Sequence, residues 1–114
     1  MKIKASFVTN SSSTAFIITN LSNRKRNLVD FVKENPQLIE QFLEEYDWHK
    51  EDKRYNQKTL IREARNMFTF KPGESRYCVF GDEQGTVIGA VFDYILRDGG
   101  NSENFKWRFE EYLR

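Results

Sequence analysis

Ile3, Ala5 and Phe7 alternate with Lys2, Lys4 and Ser6, the two-residue period of a strand with one buried face, placed at a sheet edge. Six polar, turn-prone residues follow, Thr9, Asn10, Ser11, Ser12, Ser13 and Thr14. Their hydroxyl and amide groups compete for neighbouring backbone hydrogen bonds, which predicts a loop. Phe16-Ile17-Ile18 is continuously apolar and rich in β-branched residues, as expected of a strand further inside the sheet and covered on both sides.

From Leu28 the period lengthens. Leu28, Val29, Phe31 and Val32 share one side of a helix that must stop near Asn35-Pro36. Pro36 suits the first position of a second helix, with Asn35 as its cap and Leu38, Ile39, Phe42, Leu43 and Tyr46 as its apolar stripe. The charged segment from Asp47 to Gln57 is a helical extension or a connecting loop. A third helix then carries Leu60, Ile61, Ala64, Met67 and Phe68 at helical spacing.

Lys71-Pro72-Gly73-Glu74 signals a turn, and Tyr77-Cys78-Val79-Phe80 reads as a well-buried strand. Gly81-Asp82-Glu83-Gln84-Gly85 turns again. Val87, Ile88, Val91, Phe92, Ile95 and Leu96 fit a helical face better than an alternating one, although their β-branching favours a strand. The helix reading has Thr86 at its start and Gly99-Gly100 as its C-terminal cap. Phe105, Trp107 and Phe109 alternate with Lys106, Arg108 and Glu110 in a last strand whose end could turn helical. The sum is a single α+β domain over residues 1–114, with about four strands and four helices in the order strand, strand, three helices, strand, helix, strand.

Composition narrows the function classes. Ten Phe, five Tyr and two Trp in 114 residues supply enough buried area for one core without metal or disulfide support. Eighteen basic and seventeen acidic residues leave a net charge of +1, which disfavours nucleic acid as a partner because such binding draws on a basic excess. The local exception is Arg24-Lys25-Arg26, three cations at a predicted helix start, where they oppose the helix dipole. No run approaches bilayer length and Met1 to Ser6 lacks a signal-like apolar stretch, so a cytoplasmic protein without membrane contact is expected. One cysteine, Cys78, and one histidine, His49, leave no zinc constellation and no internal disulfide, and no cofactor is expected. Asn10-Ser11-Ser12 and Asn20-Leu21-Ser22 match the glycosylation sequon only by chance if the chain is not secreted.

Catalytic signatures are missing. A serine hydrolase would pair Ser11, Ser12 or Ser13 with His49, but the glycines of a nucleophile elbow are absent and His49 sits between Trp48 and Lys50 in a charged segment. The adjacent carboxylates Glu44-Glu45, Glu51-Asp52, Asp82-Glu83 and Glu110-Glu111 point to different sides and read as solvated faces. Asp93, between Phe92 and Tyr94, reads as an exposed residue on the polar side of its helix; drawn inward, it would need a partner such as Arg97. Cys78 reads as a small buried hydrophobe. No catalytic residue is assigned, and the protein is not expected to be an enzyme.

Phe7-Val8-Thr9-Asn10-Ser11-Ser12-Ser13-Thr14-Ala15-Phe16-Ile17 resembles the N-terminal signature of a scattered group of small uncharacterised bacterial and phage proteins. These carry a lysine-bearing strand followed by a Phe-Val-Ser-Asn-Ser-Ser-Ser-Ser-Ser-Phe-like stretch. The resemblance spans about fifteen residues, and Thr9, Thr14 and Ala15 depart from it. It implies a bacterial or phage origin and transfers no functional residue.

The expectation is therefore an accessory or interaction protein that acts by binding a protein partner. Its contacts would come from Thr9, Asn10, Ser11, Ser12, Ser13 and Thr14, joined by Arg24, Lys25 and Arg26 if the first helix packs back over the strands. The alternative is a module holding a phosphate or nucleotide in the Ser-rich loop through backbone N–H groups and hydroxyls. Trp48, Tyr55 and Trp107 are candidate interface anchors, and dimerisation would cover any unpaired strand edge.

Overall fold

Alternating side chains give a strand two faces, and a central strand must satisfy a neighbour on each edge. In the computed structural model, which describes residues 13–46, 51–81 and 85–113, the Phe16-Ile17-Ile18 run takes that central place. It lies in β1 (Ser13–Asn20), antiparallel to β4 (Ser75–Gly81) on one side and to β6 (Phe105–Leu113) on the other. A two-residue strand, β5 (Gly100–Asn101), extends the sheet to the order β4-β1-β6-β5. A separate two-residue ladder joins β2 (Arg26–Asn27) to β3 (Thr69–Phe70). The expected α+β class and element order are present; the alternating segment from Ile3 to Phe7 lies outside the described residues.

The helices start where short polar side chains cap them. Asn27 and Asp30 form a reciprocal capping box on α1 (Leu28–Glu34). Asn56 accepts from the Thr59 N–H on α3 (Gln57–Ala64), and Thr86 from the Gly89 N–H on α4 (Val87–Ile95). The intervening α2 (Gln37–Glu45) has Pro36 at its N-cap with no side-chain cap. Asn35 instead ends α1, its Nδ2 donating to the Phe31 carbonyl at 3.0 Å. This moves the expected cap of α2 by one residue, because Asn35 is already used by the helix before it.

The ambiguous segment after Thr86 is helical. Val87 through Asp93 are all buried because α4 packs on β4 and β1 and carries α2 and α3, so β-branched residues here report burial on all sides rather than a strand. Phe31 of α1 joins the layers, meeting Phe92, Phe105 and Trp107 edge-to-face at 5.7, 5.3 and 5.1 Å. That geometry places the positive ring edges against neighbouring π faces.

One expected helix is shorter than its pattern, and one expected strand is buried on one face only. The third helix stops at Ala64, and Met67 and Phe68 lie in the turn beyond it; Phe68 reaches the core by packing edge-to-face on Phe80 at 6.0 Å. β4 is an edge strand with one buried face, so Cys78 and Phe80 are enclosed while Tyr77 is 47% exposed. Ile17, on the same outer face, is only half-buried.

The end of β6 stays extended, and its register shifts between Ala15 and Phe16. Phe16 faces Phe109 and Ala15 faces Glu111, leaving Glu110 as the extra residue of a bulge. Tyr112 thereby joins the helix-facing side opposite Thr14, while Glu111 turns to the outer face. There the Tyr77 hydroxyl donates to Glu111 at 2.6 Å across the central strand, and this bond pushes the Tyr77 phenol above its ordinary value.

Phe31→Ala is expected to cost about 3–5 kcal/mol through the cavity it leaves among three rings. Urea unfolding followed by far-UV circular dichroism checks this, with Phe31→Leu expected to lose less.

Candidate functional site

β1 ends at Asn20, which is fully buried, and its amide organises the chain that follows. Nδ2 donates to the carbonyls of Arg24 at 2.7 Å, Lys71 at 3.2 Å and Phe70 at 3.3 Å, while Oδ1 accepts from the Ser22 hydroxyl at 2.6 Å and its N–H at 3.0 Å. Backbone bonds from Asn20 to the Glu74 carbonyl and from Leu21 to that of Asn104 fix the same corner. Arg26 Nε donates to the Ser22 hydroxyl at 2.8 Å. A buried amide with all its groups matched rigidifies what it touches, so residues 21–25 form a loop of defined shape.

That loop presents Leu21, 48% exposed, together with the exposed Arg24 and Lys25. Beside it Lys25, Arg26, Asn27, Asp30 and Thr69 line an open depression of about 310 Å³. Of the three cations singled out in sequence, Arg24 is held through its backbone, whereas Arg26 has its side chain bonded as well, to Ser22, and pairs in β2.

Ser13 and Thr14 are not loop residues. They are the buried first residues of β1, and the Thr14 hydroxyl donates to Asp93 of α4. Asp93 is fully buried rather than exposed. Its carboxylate receives Arg97 Nη2 at 3.1 Å and its carbonyl receives Arg97 Nε at 2.8 Å. The Arg97 guanidinium lies over the rings of Tyr94 and Tyr112, 4.5 and 5.1 Å from their centroids. An enclosed carboxylate is tolerable only with such partners. Sequence spacing identified Arg97, but the Thr14 contact depends on α4 packing against β1, with the two residues 79 apart in the chain.

The two halves of the expected contact surface are therefore not brought together. Thr14 and Asn20 sit six residues apart on one strand, roughly 20 Å at about 3.3 Å per residue, and Arg24 lies beyond Asn20. A phosphate loop cannot draw on Ser13 or Thr14, whose side chains face the protein. Thr9, Asn10, Ser11 and Ser12 lie outside the described residues, as do Trp48 and His49.

Other candidates resolve into packing. Trp107 is 6% exposed and packs on Phe31, and Tyr55 is half-buried and stacked on Phe42 at 5.8 Å, so neither is a free interface anchor. Cys78 is enclosed, and burial pushes its thiol up to about 12. Among the described residues no three His, Cys, Asp or Glu side chains group as metal ligands. Sequence reasoning missed Glu34, whose carboxylate accepts from the Ser102 hydroxyl, from Asn104 N at 2.7 Å and from Asn104 Nδ2 at 2.8 Å. Asn35 Nδ2 also meets Ser102 Oγ, at 3.2 Å. This knot binds the end of α1 to the β5–β6 hairpin.

Comparison with protein-family models, with curated proteins and with solved structures gave no match.

Asn20→Ala is expected to cost on the order of 2 kcal/mol, since it strands buried carbonyls as well as removing bonds; urea midpoints check it. Burial disfavours the Glu34 charge, but the bonds from Ser102 and Asn104, aided by Arg26, outweigh that and hold its carboxyl below the ordinary value. Its stabilisation is then complete above the ordinary carboxylate range and fades as pH falls through the lowered native value. Glu34→Gln should therefore be less stable than the parent at pH 7, and their urea midpoints should converge in acid.

Proposed function

We propose that the protein is a small accessory protein of bacterial, phage or other mobile-element origin that acts in the cytoplasm by binding a protein partner, without turning over a substrate. The carrying observation is the loop beyond β1, where a buried amide holds Leu21, Arg24 and Lys25 in one arrangement on the surface. An exposed leucine flanked by two cations suits a partner that offers an apolar socket edged with carboxylates. Because the Asn20 bonds already order the loop backbone, binding is spared the cost of fixing it, about 1–2 kcal/mol per residue. The bacterial or phage assignment is supported by the resemblance of the tract from Phe7 to Ile17, and the cytoplasmic one agrees with a buried free thiol at Cys78.

The test compares the immobilised parent chain with a Leu21→Ser, Lys25→Glu variant in bacterial lysate, reading retained proteins by mass spectrometry after confirming equal folding by circular dichroism. A discrete protein held by the parent and weakened at least about tenfold, or 1.4 kcal/mol, in the variant is the expected outcome. Equal retention by both, or thermal stabilisation of both by nucleotides, would overturn the reading.

A further inference from the structure

Helices α2 and α3 both pack on α4, and Phe42 of α2 stacks on Tyr55, two residues ahead of α3. Their outward faces carry opposite charge. On α2 the exposed residues are Gln37, Glu40, Gln41, Glu44 and Glu45. On α3 and the turn just after it, Lys58, Arg62 and Arg65 are exposed and line an open depression of about 390 Å³ with Gln57 and the half-buried Ile61. The acid of α3, Glu63, is turned away, accepting from the Val87 and Ile88 N–H groups at the start of α4. No ion pair joins either stripe to another described residue.

Glu40 with Glu44, and Lys58 with Arg62, are like charges four residues apart, a spacing at which they repel by a few tenths of a kcal/mol. Each stripe is thus mildly unfavourable alone, and each is the other's complement. Within one copy both are exposed and no ion pair joins them; a two-fold axis would set α2 of one copy against α3 of the other, and α3 against α2, at once. A net charge of +1 leaves little long-range repulsion between copies.

We propose that the protein self-associates as a two-fold dimer in which the Glu40–Glu44 stripe of each copy lies on the Lys58–Arg62–Arg65 stripe of the other, over the depression at Ile61. This surface is separate from the Leu21 loop, and dimer mass is read independently of partner capture.

Sedimentation equilibrium of the full chain tests it. In low salt the weight-average mass should rise above the 13.6 kDa of one chain as concentration increases. It should fall back in about 1 M NaCl, where the Debye length is about 3 Å. Glu44→Arg and Arg62→Glu should each weaken association about tenfold or more, and the double variant should recover it, a rescue that a purely structural effect would not produce. A single-chain mass throughout, or association indifferent to salt and to both reversals, would overturn the proposal. So would a single-chain species that binds polyglutamate or an oligonucleotide through Arg62, which would assign the stripe to another partner.

Discussion

The central strand β1 has no free edge, and both of its ends are closed by polar groups that exist only in the folded chain. At one end Thr14 reaches Asp93 and, through it, Arg97; at the other Asn20 gathers the carbonyls of Arg24, Phe70 and Lys71. Between them Phe16 and Ile18 supply the apolar floor on which the helices rest. Loss of register in this strand would expose an apolar face and at the same time strand a carboxylate and an amide, penalties of several kcal/mol together. The helices, the hairpin and the exposed loop all take their positions from this one alignment.

The same strand explains why the protein has two unlike surfaces. Its inner face is filled with aromatic rings meeting edge-on, a rigid packing in which each ring fixes the next. The outer face of the sheet carries Tyr77 and Val79 of β4 and Ile17 of β1 on one side of Arg108 and Glu111 of β6. Arg24 and Lys25, just ahead of β2, and the cations on α3 lie outside the strand pairing. These exposed cations and the residues that hold the fold are therefore largely separate sets in this molecule, which leaves the former free to vary.

Local periodicity carried most of the architecture. The alternation from Phe105 to Phe109 and the caps at Asn27, Asn56 and Thr86 are short-range signals that survive packing, although of these caps the apolar pattern marks only Thr86. What could not be read depends on distant pairing. The two-residue ladder of β2 with β3, the one-sided burial of β4 and the inward turn of Asp93 each follow from neighbours dozens of residues away. The third helix looked longer than it is because Met67 and Phe68 keep helical spacing while belonging to a turn. At the candidate site, the basic triplet was visible as charge. Its separation from Ser13 and Thr14 was not, since polar composition suggested a loop where strand pairing won.

The bulge at Glu110 has a consequence for how the end of β6 can change. Beyond it, the side a residue faces is set by parity, not by identity. Were Glu110 drawn into the regular ladder instead, strict alternation would send Tyr112 outward and bring Glu111 onto the aromatic floor. The bulge can therefore absorb the loss of one residue with every later side chain keeping its face, whereas a regular stretch of strand cannot.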